Sequence, residues 1–134
     1  TNQSGLARGY FTTADLEAIH LRLRDLLAKE GVSLDAFFIC PHHPSDHCDC
    51  RKPAPGLALQ AAAALEGDLA ASFVVGDKVC DIALGQAVGA TTILVRTGYG
   101  REVEAQGESG ADFVVDNLME AARVIARVTK EDLP

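Results

Sequence analysis

The sequence lacks any apolar run long enough to cross a membrane. Its longest apolar stretches, such as residues 57–65, reach about half of the roughly 20 residues that a transmembrane helix requires. It shows no basic start followed by an apolar signal core, no internal repeat and no low-complexity tract. The 134 residues therefore predict one globular domain, 1–134, that has no membrane partner.

Positive charge is also scarce. Lys and Arg number 12 against 19 Asp and Glu, which gives a formal net charge of -7. A net negative charge of this size repels both nucleic-acid phosphates and anionic lipid surfaces. The composition predicts no nucleic-acid partner, and an anionic substrate would need cations placed locally.

Only four cysteines are present, and three of them crowd into one loop. Cys40, His42, Cys48 and Cys50 form the pattern Cys-x-His-x5-Cys-x-Cys, which matches the ligand set of a tetrahedral structural zinc site. Four protein ligands leave zinc no open position, so the ion is predicted to hold the loop rather than to catalyse. This use of cysteine also predicts a reducing, cytoplasmic location.

Other interpretations of this loop stay open. A disulfide or free thiols are the alternative to zinc, although a bridge between cysteines two positions apart would be strained. His43 and His47 are alternatives to His42 as the nitrogen ligand. Cys80, far from the loop in sequence, is given no chemistry.

Helical and extended patterns alternate along the chain. Apolar residues recur at helical spacing from Leu16 to Leu27, behind Thr12 and Thr13. The alternation predicts an α/β fold in which a parallel sheet carries helices on its faces and ligands bind beyond the carboxyl ends of the strands. The predicted strands are 36–40, 72–76, 91–95 and 113–115, the later helices are 57–65, 81–88 and 118–128, and 98–110 is predicted to be a surface loop.

Two carboxylates follow the second predicted strand. Asp77 comes directly after it, and Asp81 lies one turn further along, on the next helix. Two oxygens aimed at one point suit Mg2+, which commonly binds where a substrate phosphate completes its ligand shell. On spacing alone, the alternative is that Asp77 caps the helix and Asp81 is solvated.

Two polar segments are able to hold phosphate. Residues 1–5 combine two hydroxyls, two amides and a glycine, which can cradle phosphate oxygens through side chains and backbone N–H groups. Arg51 and Lys52 follow the last predicted zinc ligand, so a rigid loop would fix two cations. The alternatives are an ordinary polar turn and a solvated basic pair.

Taken in this order, the segments resemble the haloacid dehalogenase superfamily, whose loops carry a Thr or Ser, then a Lys, then paired aspartates. Thr1, Lys52, Asp77 and Asp81 match these positions. The zinc loop is similar to that of a small branch of heptose-bisphosphate and histidinol-phosphate phosphatases, and the opening residues 1–9 favour the heptose group. The segments 40–44, 48–53, 76–78 and 94–98 extend the similarity.

The resemblance implies a Rossmann-like parallel sheet flanked by helices, with the first catalytic strand absent from the 134 residues. It also implies a magnesium-dependent phosphatase that removes one phosphate of a heptose bisphosphate through an aspartyl phosphate. It implies that Asp77 binds Mg2+ and that Asp81 orients Lys52 or a metal-bound water. The implied catalytic residues are Thr1, Lys52 and Asp81, and the implied substrate-binding residues are Thr1, Asn2, Gln3, Ser4, Arg51, Lys52 and Lys78.

One part of the family pattern is missing from the sequence. The superfamily's nucleophile and general acid lie in an Asp-x-Asp segment on a first, central strand, and the 134 residues contain no such segment. We therefore expect a strand-helix-strand unit of roughly 30 residues or more upstream of Thr1, and no activity from the 134 residues alone. A non-catalytic, zinc-stapled phosphosugar-binding domain is the alternative from another class. The expected ligand is a small phosphorylated sugar, and the expected state is a monomer.

Overall fold

A computed structural model describes residues 1–107 and 109–131 of the protein. The chain forms two compact units, Thr1–Glu66 and a second that begins at Gly67. The first unit contains helix α1 (Thr13–Lys29), a 3-10 turn (Pro44–Asp46) and helix α2 (Gly56–Leu65). The second contains β1 (Phe73–Gly76), α3 (Val79–Ala87), β2 (Thr91–Val95), α4 (Gly100–Ala105), β3 (Phe113–Val115) and α5 (Leu118–Glu131).

The second unit is built on a parallel three-stranded sheet. The strand order is β1-β2-β3, with Val75 beside Ile93 and Ile93 beside Phe113. Its core is centred on Ile93, Val95 and Ala121 of α5, all buried. Helices join successive parallel strands, as short βαβ units require. The predicted α/β fold class is confirmed, and the later strands lie within one residue of their predicted bounds.

Helix α3 packs closely on this sheet. Gly85 faces Thr92 and Val74, and a Cβ at Gly85 would collide with the Thr92 side chain. Thr92 is completely buried. A glycine at this position therefore lets the helix approach the strands closely.

The first unit begins its long helix as the sequence predicts. Thr12 Oγ1 accepts a hydrogen bond from Asp15 N at 3.2 Å, and Asp15 Oδ2 accepts one from Thr12 N at 2.7 Å, which closes a reciprocal cap. Of the predicted apolar stripe, Leu16 is buried, whereas Ile19 and Leu23 are 60% and 40% exposed.

Two sequence predictions of local structure are wrong. The segment 36–40 is not a strand: it is irregular up to one isolated parallel bridge between Cys40 and Asn2. The short segment 1–3 pairs with it there, and a single bridge is too little to make a ladder. The segment 98–110 is not simply a loop, because α4 begins at Gly100. Arg, Glu, Val, Glu and Ala follow that glycine, and four of these five residues favour helix.

Within the described ranges, no helix combines the length and the apolar character that crossing a bilayer demands.

Candidate metal centre and active site

Four metal-ligating side chains converge in the first unit. One ligand atom from each of Cys40, His42, Cys48 and Cys50 lies within 4.8 Å of all the others. The Sγ atoms of Cys40 and Cys48 are 3.6 Å apart, as are those of Cys48 and Cys50, and His42 Nδ1 is 3.2 Å from Cys50 Sγ. The loop therefore brings together the four residues that the sequence pattern singles out.

These separations fit a tetrahedron around a small cation. Sulfur ligands at about 2.3 Å and nitrogen at about 2.0 Å from zinc stand roughly 3.5 to 3.8 Å from one another. A disulfide would need sulfur atoms at about 2.05 Å, so at a spacing of 3.6 Å the thiols form no bridge, and this spacing is compatible with metal ligands. Cys40 is fully buried, which excludes water from one side of the cluster.

The neighbouring histidines have other positions. His43 Nδ1 lies 2.7 Å from Ser45 Oγ and accepts a hydrogen bond from Ser45 N, so this ring caps the 3-10 turn. His47 adopts a left-handed backbone conformation at the end of that turn. Neither belongs to the four-residue cluster, so the structure favours His42 as the nitrogen ligand.

The thiols of the cluster differ in acidity. Burial raises the pKa of Cys50 to about 12, with hydrogen bonds to Cys40 and Cys48 adding to the effect. For Cys48, burial is outweighed by hydrogen bonds from Cys40, Cys50 and the Arg51 peptide, which lower its pKa to about 7. Because a metal ion binds the thiolate form of cysteine, a cation entering the cluster displaces the proton that the raised pKa keeps on Cys50.

Asn2 joins the opening segment to Lys52, two positions after Cys50. Its Nδ2 donates to Lys52 O at 3.2 Å, and its Oδ1 accepts from Lys52 N at 3.0 Å. The backbone of residues 1–3 pairs with Cys40 on the other side: Gln3 N donates to Cys40 O at 2.8 Å, and Cys40 N donates to Thr1 O at 2.9 Å. Three predicted phosphate-binding residues, Thr1, Asn2 and Lys52, thus share one neighbourhood beside the cysteine cluster.

The remaining predicted substrate residues of this unit lie close by in sequence. Gln3 Nε2 donates to Thr1 Oγ1 at 3.2 Å. Ser4 begins a turn in which its carbonyl accepts from Arg8 N at 3.0 Å. Arg51 is half-buried, and among the described residues its buried Nη1 donates no hydrogen bond. A guanidinium nitrogen in that condition is suited to an anionic acceptor.

In the second unit, Asp77 follows the carboxyl end of β1. Its Oδ2 accepts a hydrogen bond from Tyr99 N at 2.9 Å, and Tyr99 lies beyond the carboxyl end of β2. The bond orients the carboxylate and occupies one of its two oxygens. The other is a hard ligand of the kind that Mg2+ prefers.

Asp81 lies on the first turn of α3 and is only 6% exposed. Its Oδ2 accepts a hydrogen bond from Lys78 N at 3.1 Å. A Cβ at Gly76 would collide with the Asp81 carboxylate, so the glycine lets this group lie against the end of β1. The alternative in which Asp77 caps the helix and Asp81 is solvated is wrong: Lys78 occupies the capping position and Asp81 is buried.

Sequence reasoning missed Tyr99. Its ring lies under the Lys78 ammonium, with Nζ 4.3 Å from the ring centroid, and its peptide N–H holds Asp77. The bond to Asp77 runs from a backbone group, so no residue type marks it in the sequence. The feature of the sequence that could have drawn attention to Tyr99 is the pair of glycines on either side of it, Gly98 and Gly100.

The chain is similar to known phosphatases. Residues 49–121, a little more than half of it, match a family described as HAD-hydrolase-like. It is 45% identical to the D-glycero-beta-D-manno-heptose-1,7-bisphosphate 7-phosphatase of Yersinia pestis, over 93% of this chain and 70% of that protein. The enzyme of the same name from Pseudomonas putida is 42% identical, over 92% of this chain and 70% of that protein.

A solved structure shares the fold. The crystal structure of the D,D-heptose 1,7-bisphosphate phosphatase from B. bronchiseptica, complexed with magnesium and phosphate, has a TM-score of 0.86 and 44% sequence identity. The match covers 98% of this chain and 72% of that one.

Proposed function

The chain belongs to the haloacid dehalogenase-like hydrolase family, as the sequence resemblance indicates. We propose that its function is that of a magnesium-dependent phosphatase, which removes the 7-phosphate of D-glycero-β-D-manno-heptose 1,7-bisphosphate. The observation that carries the substrate assignment is the 45% identity to the Yersinia pestis enzyme across 93% of the chain. Cytoplasmic location and a monomeric state remain predictions.

Two metals belong to this proposal. Zinc would be held by Cys40, His42, Cys48 and Cys50, because the donor set and the spacing of its atoms fit four-coordinate zinc. Its role would be to fix the loop that leads into Arg51 and Lys52. Magnesium would be held by Asp77, and when bound it neutralises charge on the phosphoryl oxygens.

The chain's own residues supply binding and orientation. Thr1 and Lys52 would hold the oxygens of the transferring phosphoryl group. Asn2 contributes by fixing the Lys52 peptide through two hydrogen bonds, and Asp81 would orient Lys52 or a water molecule. The nucleophile would be an aspartate of an Asp-x-Asp segment, which the 134 residues do not contain.

The second phosphate of the substrate would be bound by Arg51 and Lys78. Support for Arg51 comes from its buried Nη1, which donates no hydrogen bond within the described residues. Support for Lys78 comes from its position directly after Asp77 and from the Tyr99 ring, over which its ammonium lies. Gln3 and Ser4 would contact the sugar.

The first experiment measures phosphate release from heptose 1,7-bisphosphate by the full product of the gene that encodes this sequence. Asp77→Asn is expected to abolish turnover while leaving the melting temperature nearly unchanged, because the carboxylate lies at a strand end. Asp25→Asn, an exposed carboxylate on α1, is the matched control and should behave as wild type. Unchanged turnover in Asp77→Asn would remove this residue from the metal site.

The second experiment tests the substrate. Arg51→Ala should lower kcat/KM for the bisphosphate about tenfold or more, which corresponds to the roughly 1.5 to 3 kcal/mol of a hydrogen bond to a charged group. The exposed Arg22→Ala is the control for loss of one positive charge. A higher kcat/KM for histidinol phosphate than for the heptose would assign the protein to that relative instead.

A second candidate function rests on the missing Asp-x-Asp segment. If the full gene product also lacks one, the chain is better described as a zinc-stapled phosphosugar-binding domain. Binding of the bisphosphate without release of phosphate would establish that function.

A further inference from the structure

We propose that Tyr99 is a positioning residue that holds both the Asp77 carboxylate and the Lys78 ammonium. The inference rests on the proposed function, in which Asp77 serves the cation and Lys78 serves the substrate. It assigns a role to the loop after β2, which carries no predicted site residue.

The first contact is made by the backbone. Tyr99 N donates to Asp77 Oδ2 at 2.9 Å, across 22 positions of sequence. A charge-assisted hydrogen bond of this kind fixes which way the carboxylate faces. The aspartate therefore need not be ordered when a cation arrives.

Two glycines make the backbone contact possible. Gly98 has a φ of +60°, and a Cβ there would collide with the Asp77 carboxylate. A Cβ at Gly100 would collide with the carbonyl oxygen of Val95. The loop can lie this close to the strand ends only because both positions lack a side chain.

The second contact is made by the ring. Lys78 Nζ lies 4.3 Å from the centroid of the Tyr99 ring, within the range of a cation–π interaction. Both side chains are exposed, so a lysine without this ring would sample many rotamers. The ring restricts the ammonium to the same strand end at which Asp77 lies.

An ion-pair clamp keeps the loop in place. Arg96 directly precedes it and donates to both carboxylate oxygens of Glu104, each at 2.7 Å, and to Asp116 Oδ1 at 2.9 Å. These bonds join the end of β2 to α4 and to the residue after β3. Hydrogen bonding to Glu104 raises the pKa of Arg96, so its charge is retained under all working conditions.

The ring's role is tested by kinetics of the full gene product. Tyr99→Ala keeps the peptide N–H and removes the ring, so KM for heptose 1,7-bisphosphate should rise about fivefold while kcat stays near wild type. Tyr99→Phe should restore the wild-type KM. In a double-mutant cycle, adding Tyr99→Ala to Lys78→Ala should raise KM no further, since the ring acts through that lysine.

The outcomes separate the inference from the proposed function. If Lys78→Ala leaves KM unchanged, the assignment of Lys78 to the substrate fails. If Lys78→Ala raises KM but Tyr99→Ala does not, or if the two effects add fully, the positioning role of Tyr99 is overturned on its own. A readout without turnover is the NMR shift of the Lys78 side-chain protons, which should lie upfield over the ring, move to ordinary values in Tyr99→Ala and remain upfield in Tyr99→Phe.

The backbone contact is tested at Gly98. Gly98→Ala should raise the half-saturating Mg2+ concentration about fivefold or more and speed hydrogen exchange at the Tyr99 amide. Gly89→Ala is the matched control, because Gly89 has a φ of +73° with nothing within 4 Å of an added Cβ; it introduces similar backbone strain without the collision. Equal effects of the two substitutions would show that strain, and not the contact with Asp77, is responsible.

Discussion

At the scale of single residues, the side chain of Asn2 shows how a short polar motif is organised. Both ends of its carboxamide bond to the peptide of Lys52, fifty positions away. The sequence suggested a direct phosphate contact for this side chain. That contact stays a prediction, and the structure shows a further role for the amide, which holds the Lys52 peptide.

Asn2→Ala is expected to lower the free energy of unfolding by about 1 to 2 kcal/mol, because the half-buried Lys52 N–H and C=O both lose a partner. Asn2→Asp should cost a similar amount, since a carboxylate accepts from Lys52 N but cannot donate to Lys52 O. Denaturant titration measures both, with the exposed Gln60→Ala as the control. A loss as small as that of the control would show that the pair contributes nothing to stability.

At the scale of elements, Asp112 ties the start of β3 to β2. Its Oδ2 accepts from both the backbone N and the Oγ1 of Thr92, each at 2.7 Å, and Asp112 N donates to Thr92 Oγ1 at 3.0 Å. The hydrogen bond from the Thr92 backbone is the largest cause of the lowered pKa of Asp112. The register of the two strands is therefore reinforced at the end opposite the candidate active site.

This link predicts an acid-sensitive contribution to stability. Because the pKa of Asp112 is lower in the folded chain than its ordinary value of 3.8, its contribution is complete above that value and is lost as pH falls through the folded pKa. Asp112→Asn should lower stability at pH 7 by about 1 kcal/mol and should flatten the loss of stability below pH 4. Asp35→Asn, which alters an exposed carboxylate, should leave the steepness of that loss unchanged, and equal curves for the two variants would contradict the assignment.

The loop that carries the cysteine cluster, residues 40–50, is the second element whose stability can be tested. Purified without chelator, the protein should contain one zinc per chain, and removing it by chelator or acid should lower the melting temperature, because the thiolates that bind the ion become protonated or unpaired. Cys50→Ser should lose zinc and show the same lowered melting temperature. Cys80→Ser, outside the cluster, is the matched control. Elemental analysis that finds no zinc would contradict the prediction.

At the scale of the whole molecule, the residues assigned by the proposal belong to two compact units of the chain. The first holds Thr1, Lys52 and the cysteine cluster, and the second holds Asp77 and Asp81. Neither unit contains an Asp-x-Asp pair. Catalysis under the proposed mechanism therefore depends on residues other than these 134.

The 134-residue chain by itself is expected to release no phosphate from heptose 1,7-bisphosphate in the presence of Mg2+, whereas the full gene product should do so. Both proteins are assayed at equal concentration and equal zinc content. Magnesium-dependent turnover by the short chain would show that it contains a nucleophile of its own.

The sequence by itself determined much of the second unit and the identity of the cluster residues. Short apolar strands and amphipathic helices are local patterns, so β2 and β3 have the bounds that their residues predict. The membership of the cluster is also a local feature, because Cys40, His42, Cys48 and Cys50 fall within eleven positions. The family resemblance could be recognised from short motifs for the same reason, since the residues of each motif lie close together in sequence.

Features that depend on contacts between residues distant in sequence were decided only by the tertiary structure. The residues of 36–40 are typical of a strand, but within the described ranges 1–107 and 109–131 the segment makes a single isolated bridge, to Asn2, so no strand forms there. The apolar residues of α1 have helical spacing, yet spacing does not determine how many of them are covered. The hydrogen bonds from Tyr99 to Asp77 and from Asn2 to Lys52 involve backbone groups that every residue carries, so only the folded chain shows which of them meet.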